Sequence, residues 1–302
     1  MKHTWLALLA LLALCARPVV GQTSPTVAGP PLGVTGTVRF HGDLPSKYVA
    51  KRNVEVWLPP GYDLETGRRY PVLYMHDGQN VFAPATSYTR VDWGVDETMT
   101  RLIAEGKVRA AIVVAVWNTP ARMQEYMPRK ALASDSAFPS GMQGVPAFKG
   151  PVLSDDYLRF LVEELKPFID RTYRTRTGPA DTFIMGSSMG GLISAYALTE
   201  YPGVFGGAGC VSTAWQVGDG AMVAYLKAHL PAPASHRFWF DHGTMTMDSL
   251  VGPLQRQVNE IMRAGGYVDG KNLETRTYPG ADHSERAWRV RVAEPLVFLL
   301  GR

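Results

Sequence analysis

Three observations predict an α/β fold with a mostly parallel central sheet, helices on both faces and an antiparallel N-terminal edge. Short, nearly continuous apolar runs at 72–76, 111–116, 183–185 and 207–211 read as strands buried on both sides. Segments with helical spacing fall between those runs, as βαβ units require. Two alternating runs, 34–40 and 53–58, stand close together ahead of the first buried run, which suits a hairpin at a sheet edge.

The chain has 302 residues, 46% apolar and 19% charged, with a formal charge of +4. That length suits one large α/β domain or two small ones, and the absence of an internal repeat or a second composition zone favours one. The charge is too small, and too scattered, to argue for nucleic acid as a partner. Residues 1–21 read as a secretory signal peptide: a basic start with Lys2, an apolar stretch from Leu6 to Ala16, then Val19-Val20-Gly21 before a cut near Gln22. The apolar stretch is too short to span a membrane. Cys15 follows Leu14, where a lipoprotein signal wants a small residue. Residues 22–33 are rich in Pro, Gly, Ser and Thr and read as a linker. The domain is then expected over 34–302, exported to the periplasm or the medium. Only Cys210 remains in the mature chain, inside a buried run, so it reads as an inert core thiol and the domain stands without disulfides.

Each remaining element follows from its pattern. Helices are expected at 96–105, 155–169, 192–200, 222–229, 250–264 and 285–300, and further strands at 238–240 and 273–278. The stretch 129–150 carries no periodicity. It follows the 111–116 strand, on the side where open parallel sheets bind ligands, and loops of that length are more often functional than not.

The chemistry is concentrated in Phe183-Ile184-Met185-Gly186-Ser187-Ser188-Met189-Gly190-Gly191. An apolar run, Gly-x-Ser-x-Gly and a helix-forming segment, in that order, describe the nucleophile elbow of α/β-hydrolases. Residues two before and two after the serine must be small. Gly186 and Gly190 therefore select Ser188, whereas Ser187 would be flanked by Met185 and Met189. A serine hydroxyl needs a base, and the base an orienting acid, in the chain order Ser, Asp or Glu, His. His283 follows the 273–278 strand and precedes the last helix, which places it beside the elbow; His76 precedes the serine and suits a different role. The acid should follow the 238–240 strand. Asp248, further into the loop, is favoured over Asp241, which abuts the strand and can instead anchor the turn. The oxyanion needs two backbone N–H groups. Met189, at the start of the following helix, supplies one. The Gln79 N–H, in the loop His76-Asp77-Gly78-Gln79-Asn80 where Gly78 permits an unusual backbone, is nominated for the other.

Together Leu58-Pro59-Pro60-Gly61-Tyr62, His76-Asp77-Gly78-Gln79-Asn80, Gly186-Ser187-Ser188-Met189-Gly190-Gly191 and Gly280-Ala281-Asp282-His283-Ser284 resemble the Putative esterase family of α/β-hydrolases. That family holds enterochelin esterases, S-formylglutathione hydrolase, feruloyl and acetyl-xylan esterases, and mycolyltransferases. The resemblance covers roughly 50–302. It implies about eight strands, a Ser–Asp/Glu–His triad, and ester or thioester hydrolysis without a cofactor. It carries over directly to Ser188 and His283, and less directly to the acid. The expected partner is a small-molecule or carbohydrate-linked ester, of the siderophore, feruloyl or acetyl-carbohydrate kind.

Substrate contacts are read from loops. Arg122 and Tyr126 follow a central strand end and suit an acidic or aromatic ester; the alternative is a solvated loop in which Arg122 pairs with Glu125. Trp215 either walls an acyl pocket or sits in the core. An acyltransferase with an alcohol acceptor fits the same triad. A non-catalytic binding module would be expected to lack the nucleophile or the base, and both are present. No His-Glu-x-x-His and no paired cysteines suggest a metal site.

Overall fold

In the computed structural model, which describes residues 33–132 and 150–301, the expected runs assemble into one eight-stranded sheet. The strands are β1 (Thr37–Leu44), β2 (Arg52–Leu58), β3 (Val72–His76), β4 (Ile112–Val116), β5 (Thr182–Ser187), β6 (Gly207–Val211), β7 (Arg237–Gly243) and β8 (Leu273–Tyr278). Their order across the sheet is β1-β2-β4-β3-β5-β6-β7-β8. The β1–β2 and β2–β4 pairs are antiparallel, and the other five are parallel. The sequence therefore read the fold class correctly, antiparallel edge included. The expected leader (1–21), most of the expected linker (22–33) and residues 133–149 of the loop expected over 129–150 lie outside the described residues.

The helices are α1 (Val95–Ala104), α2 (Arg122–Tyr126), α3 (Ser154–Arg159), α4 (Lys166–Thr172), α5 (Met189–Glu200), α6 (Ala221–Ala228), α7 (Gly252–Ala264), α8 (Glu285–Arg291) and α9 (Ala293–Leu300). A π-helical stretch, Phe160–Leu165, joins α3 to α4. The last helix expected from the sequence is two, meeting at Val292. None of the described helices is long and apolar enough to cross a membrane.

Strand periodicity divides the core. Along β3, Val72 and Tyr74 face one side and Leu73 and Met75 the other; along β4, Ile112, Val114 and Val116 alternate with Val113 and Ala115. The first side is covered by α2 to α7, through residues such as Leu158, Ile169, Leu192, Leu226 and Val258. The second is covered by α1, α8 and α9, through Met99, Leu102, Trp288 and Leu296. Burial on both faces explains why the parallel strands read as continuous apolar runs.

One buried ion pair sets the position of α2 beside the sheet. Arg52 on β2 grips Glu125 on α2 with two nitrogens, at 3.0 and 2.6 Å, and both side chains are essentially inaccessible. The guanidinium also lies 5.1 Å from the Tyr157 ring and 5.0 Å from the Phe160 ring. Removing one partner of a buried pair leaves an uncompensated charge. Glu125→Ala is therefore expected to lower the unfolding free energy by about 3–5 kcal/mol, measured by urea denaturation. Replacing both partners by Met and Leu should recover most of that loss.

Candidate active site

The chain turns sharply where β5 meets α5. Ser188 occupies that turn with φ 58 and ψ −120, a conformation rarely tolerated outside glycine. It persists because its surroundings determine it on every side. The Ser188 N–H donates to Val211 O at 2.9 Å, and the Ser188 carbonyl accepts from Leu192 N at 3.1 Å and Ala214 N at 3.2 Å. The helix starts so close to the strand that a Cβ on Gly186 would stand 2.8 Å from the carbonyl carbon of Gly190. Only a glycine fits there. Ser188 lines a cleft of about 510 Å³ together with His283, Gln79, Asp77 and Arg122; the largely buried Ser187 also borders it.

The loop after β7 and the loop after β8 are stitched to each other. Thr244 N and Met245 N both donate to Ala281 O, Gly280 N donates to Thr244 Oγ1, and His283 N donates to Thr246 Oγ1 at 2.9 Å. This stitching brings His283 Nδ1 to 2.6 Å from Asp248 Oδ1, across 35 residues of chain. The Asp248 side chain is fully buried and that of His283 is 9% exposed. The His283 ring stands edge-on to Trp288 at 5.0 Å. Burial by itself would raise the Asp248 carboxyl. The bonds from His283, Ser212 and the Gly243 N–H outweigh it and hold the group below the usual carboxylate range.

The other carboxylate weighed from the sequence, Asp241, lies inside β7 rather than beyond it. It is fully buried, accepts from Trp239 Nε1 at 2.7 Å and pairs with Arg291 at 2.9 Å. Complete burial dominates and pushes its carboxyl up, against the opposing pull of Arg291. It makes no bond to His283 among the described residues.

The loop after β3 forms a 3-10 turn, Gly78–Asn80. The unusual backbone expected at Gly78 belongs instead to Asp77, at φ 54. Gly78 is required for a different reason: a Cβ there would lie 2.5 Å from the Ala115 carbonyl carbon on β4. Two side chains hold Asp77 through three hydrogen bonds. Arg122 Nε and Nη2 reach its two oxygens at 2.6 and 2.7 Å, and Asn118 Nδ2 donates to Oδ1 at 2.6 Å. Arg122 thus pairs with Asp77 and not with Glu125. Burial would raise the Asp77 carboxyl, yet the Arg122 charge and bonds hold it below its ordinary value. Gln79 is pinned on both sides, its side chain accepting from Asn118 N and its carbonyl from Thr86 Oγ1. Neither the Gln79 nor the Met189 N–H donates to another group among the described residues.

Of three residues weighed in the sequence reading, Tyr126 departs from its expected place, Trp215 takes the core alternative, and His76 is likewise off the cleft. Tyr126 is buried beneath the loop, where its hydroxyl accepts the Asp77 N–H at 3.3 Å, and it does not line the cleft. Trp215 is a core residue, bonded to Gln255 and packed against Phe240, also away from the cleft. His76 is buried against Tyr126 and Tyr157; burial, only partly opposed by Asp77, drives its imidazole down to about 3, so it is neutral. The Asp77–Arg122 clamp, Trp288 and Ser212 were missed. No local spacing signals them, because each joins segments far apart in the chain. Cys210 is buried, with its thiol pushed well up by burial.

A family model described as Putative esterase matches residues 47–299. The protein YbbA of Bacillus subtilis is 23% identical over 267 residues, 86% of this chain and 97% of that protein. The endo-1,4-beta-xylanase/feruloyl esterase of Xylanibacter ruminicola is 27% identical over 252 residues, 79% of this chain but 28% of that longer protein. The crystal structure of an enterobactin esterase from Shigella flexneri, in the presence of 2,3-di-hydroxy-N-benzoyl-glycine, is similar with a TM-score of 0.62 at 17% identity. It covers 90% of this chain and 61% of that one. At that identity the likeness is one of fold.

The Asp248 environment has a stability consequence. A carboxyl lowered on folding contributes stability above its unfolded range, and that contribution is lost as pH falls through its folded value. Wild type is therefore expected to lose more stability than Asp248→Asn between pH 6 and pH 3, compared by urea denaturation at each pH. An equal loss in both proteins would remove the carboxylate from the account.

Proposed function

Because the chain belongs to the Putative esterase family, cleavage of carboxylic esters is the premise, and we propose that it proceeds through an acyl-enzyme on Ser188. His283 takes the serine proton as general base and returns it to the leaving alcohol as general acid. Asp248 holds the imidazole in the required tautomer and balances the imidazolium that forms. The Ser188 oxygen bonds to the ester carbonyl carbon, and the carbonyl oxygen becomes an oxyanion that accepts from the Met189 and Gln79 N–H groups. The C–O bond to the alcohol then breaks. Water, deprotonated by His283, repeats the sequence and releases the acid. The observation that carries this reading is the 2.6 Å contact of His283 with Asp248 beside the strained serine, on one cleft. Neither step requires a metal or an organic cofactor.

The cleft supports a polar or ring-bearing ester better than a lipid. Asn80, Asn118, Thr119, Thr89, Arg122 and Glu285 line it, and Tyr88 stands 88% exposed at its wall. Feruloyl and siderophore esters, named for the relatives above, are the first substrates to try. Export is proposed from the basic and apolar pattern of residues 1–21.

Ser188→Ala is expected to reduce hydrolysis of a short p-nitrophenyl ester by at least about 10³-fold while leaving the circular dichroism spectrum unchanged. Activity near wild type would remove Ser188 from the role. Asp248→Asn should lower kcat strongly with little change in KM. Asp241→Asn should act chiefly on stability, because its carboxylate faces Arg291. A panel of feruloyl, catecholate, acetyl-xylan and p-nitrophenyl esters ranks the substrates. N-terminal sequencing of protein recovered outside the cytoplasm is expected to begin near Gln22.

A further inference from the structure

We propose that Ser212 is a positioning residue for this reaction, its hydroxyl locked as a one-way donor to the carboxylate that holds His283. The inference rests on the triad reading above. Ser212 directly follows β6, is fully buried and sits at φ 43. Its backbone N–H donates to Asp241 O at 2.8 Å. Three polar side chains converge on its oxygen: Trp288 Nε1 at 3.0 Å, Arg291 Nη2 at 2.8 Å and Asp248 Oδ2 at 2.7 Å.

Donor chemistry fixes the direction of every bond in this group. An indole N–H and a guanidinium can only donate, so Trp288 and Arg291 both give hydrogens to the Ser212 oxygen. A hydroxyl has two lone pairs and one proton. With both lone pairs engaged, the proton points to Asp248. Asp248 Oδ2 also accepts the Gly243 N–H at 2.6 Å, which leaves Oδ1 for His283. The carboxylate is thus held at both oxygens and cannot swing away from the imidazole.

The hydroxyl also carries charge. Arg291 is buried between two carboxylates, 2.9 Å from Asp241 and 3.9 Å from Asp248, with the Tyr278 ring 4.7 Å from its guanidinium carbon. Its Nε and Nη1 have no hydrogen-bond partner among the described residues. The cation therefore polarises the Ser212 O–H toward Asp248 instead of bonding to it directly. The charged and titratable groups around Asp248 are then His283, Arg291, Asp241 and Tyr278. Without the Ser212 hydroxyl, Asp248 would lose one of the donors that hold its carboxyl low and would bind the His283 N–H more tightly.

Ser212→Ala in the full chain tests this through the pH profile of p-nitrophenyl ester hydrolysis. The expected result is a kcat about tenfold or more below wild type, the rate equivalent of one bond to a charged group, with KM within about twofold. The acidic limb of kcat/KM should move up by about half a pH unit or more. A loss that is merely structural would leave that limb in place, so an unmoved limb overturns the proposal whatever happens to kcat. If Ser212→Ala fails to fold, Ser212→Gly carries the same test, since glycine adopts φ 43 freely. Ser188→Ala is assayed in parallel. An active Ser188→Ala would sink the serine reading itself. An inactive one, beside a Ser212 variant that titrates like wild type, would sink only this inference.

Discussion

The backbone contact between Gly186 and Gly190 is the constraint on which the rest of the molecule turns. A strand can hand over to a helix within one residue only if the two backbones nearly touch, and a side-chain carbon at 186 would meet the helix at 2.8 Å. The contact forces Ser188 into a backbone conformation it would not choose. It also lifts that side chain out of the sheet at the carboxyl ends of the strands, where loops from β3, β7 and β8 already gather. Ser188 is held there by bonds to Val211 and Ala214 from the neighbouring strand and the loop after it. Strain at one residue is thus carried by a rigid sheet.

Around that point the protein buries charge in matched sets. Arg52 with Glu125 and Arg291 with Asp241 are inaccessible pairs, and Asp77 with Arg122 is partly buried. Such pairs add little net stability compared with apolar packing, but each fixes a distance and an angle. One of them lines the cleft and another stands behind it. Asp77 with Arg122 secures the loop that carries Gln79, and Arg291 lies behind Asp248. Their value lies in geometry, since the groups in front of them must be placed to within a fraction of an ångström.

Much of this was legible in the sequence because the relevant signals are local. Two-sided burial writes itself as an apolar run, so β3, β4 and β6 were read within a residue of their ends. The elbow is a pentapeptide, and the order of serine, acid and histidine is a property of the chain. The choice of Asp248 over Asp241 followed from loop position, and the structure joins Asp248 to His283. What escaped is long-range. Arg122 with Asp77 spans 45 residues and Trp288 with Ser212 spans 76, and no spacing rule relates such partners. Tyr126 was assigned to the cleft by type and Trp215 was left between pocket and core; both are buried, since a large aromatic near a strand end satisfies the core as readily as a pocket. Gly78 was read for its torsion when it is needed for its missing side chain.

The strand order has a temporal meaning. β5 lies in the middle of the sheet, with every earlier strand on one side of it and every later strand on the other. Gln79 comes from the half made first, and Asp248 and His283 from the half made last. A chain emerging from the ribosome therefore completes the turn at Ser188 before the loops that carry Asp248 and His283 exist. His283 arrives only after β8, when every strand of the described sheet has been made. The same topology thus brings the two sides of the cleft together only once β7 and β8 have joined the sheet.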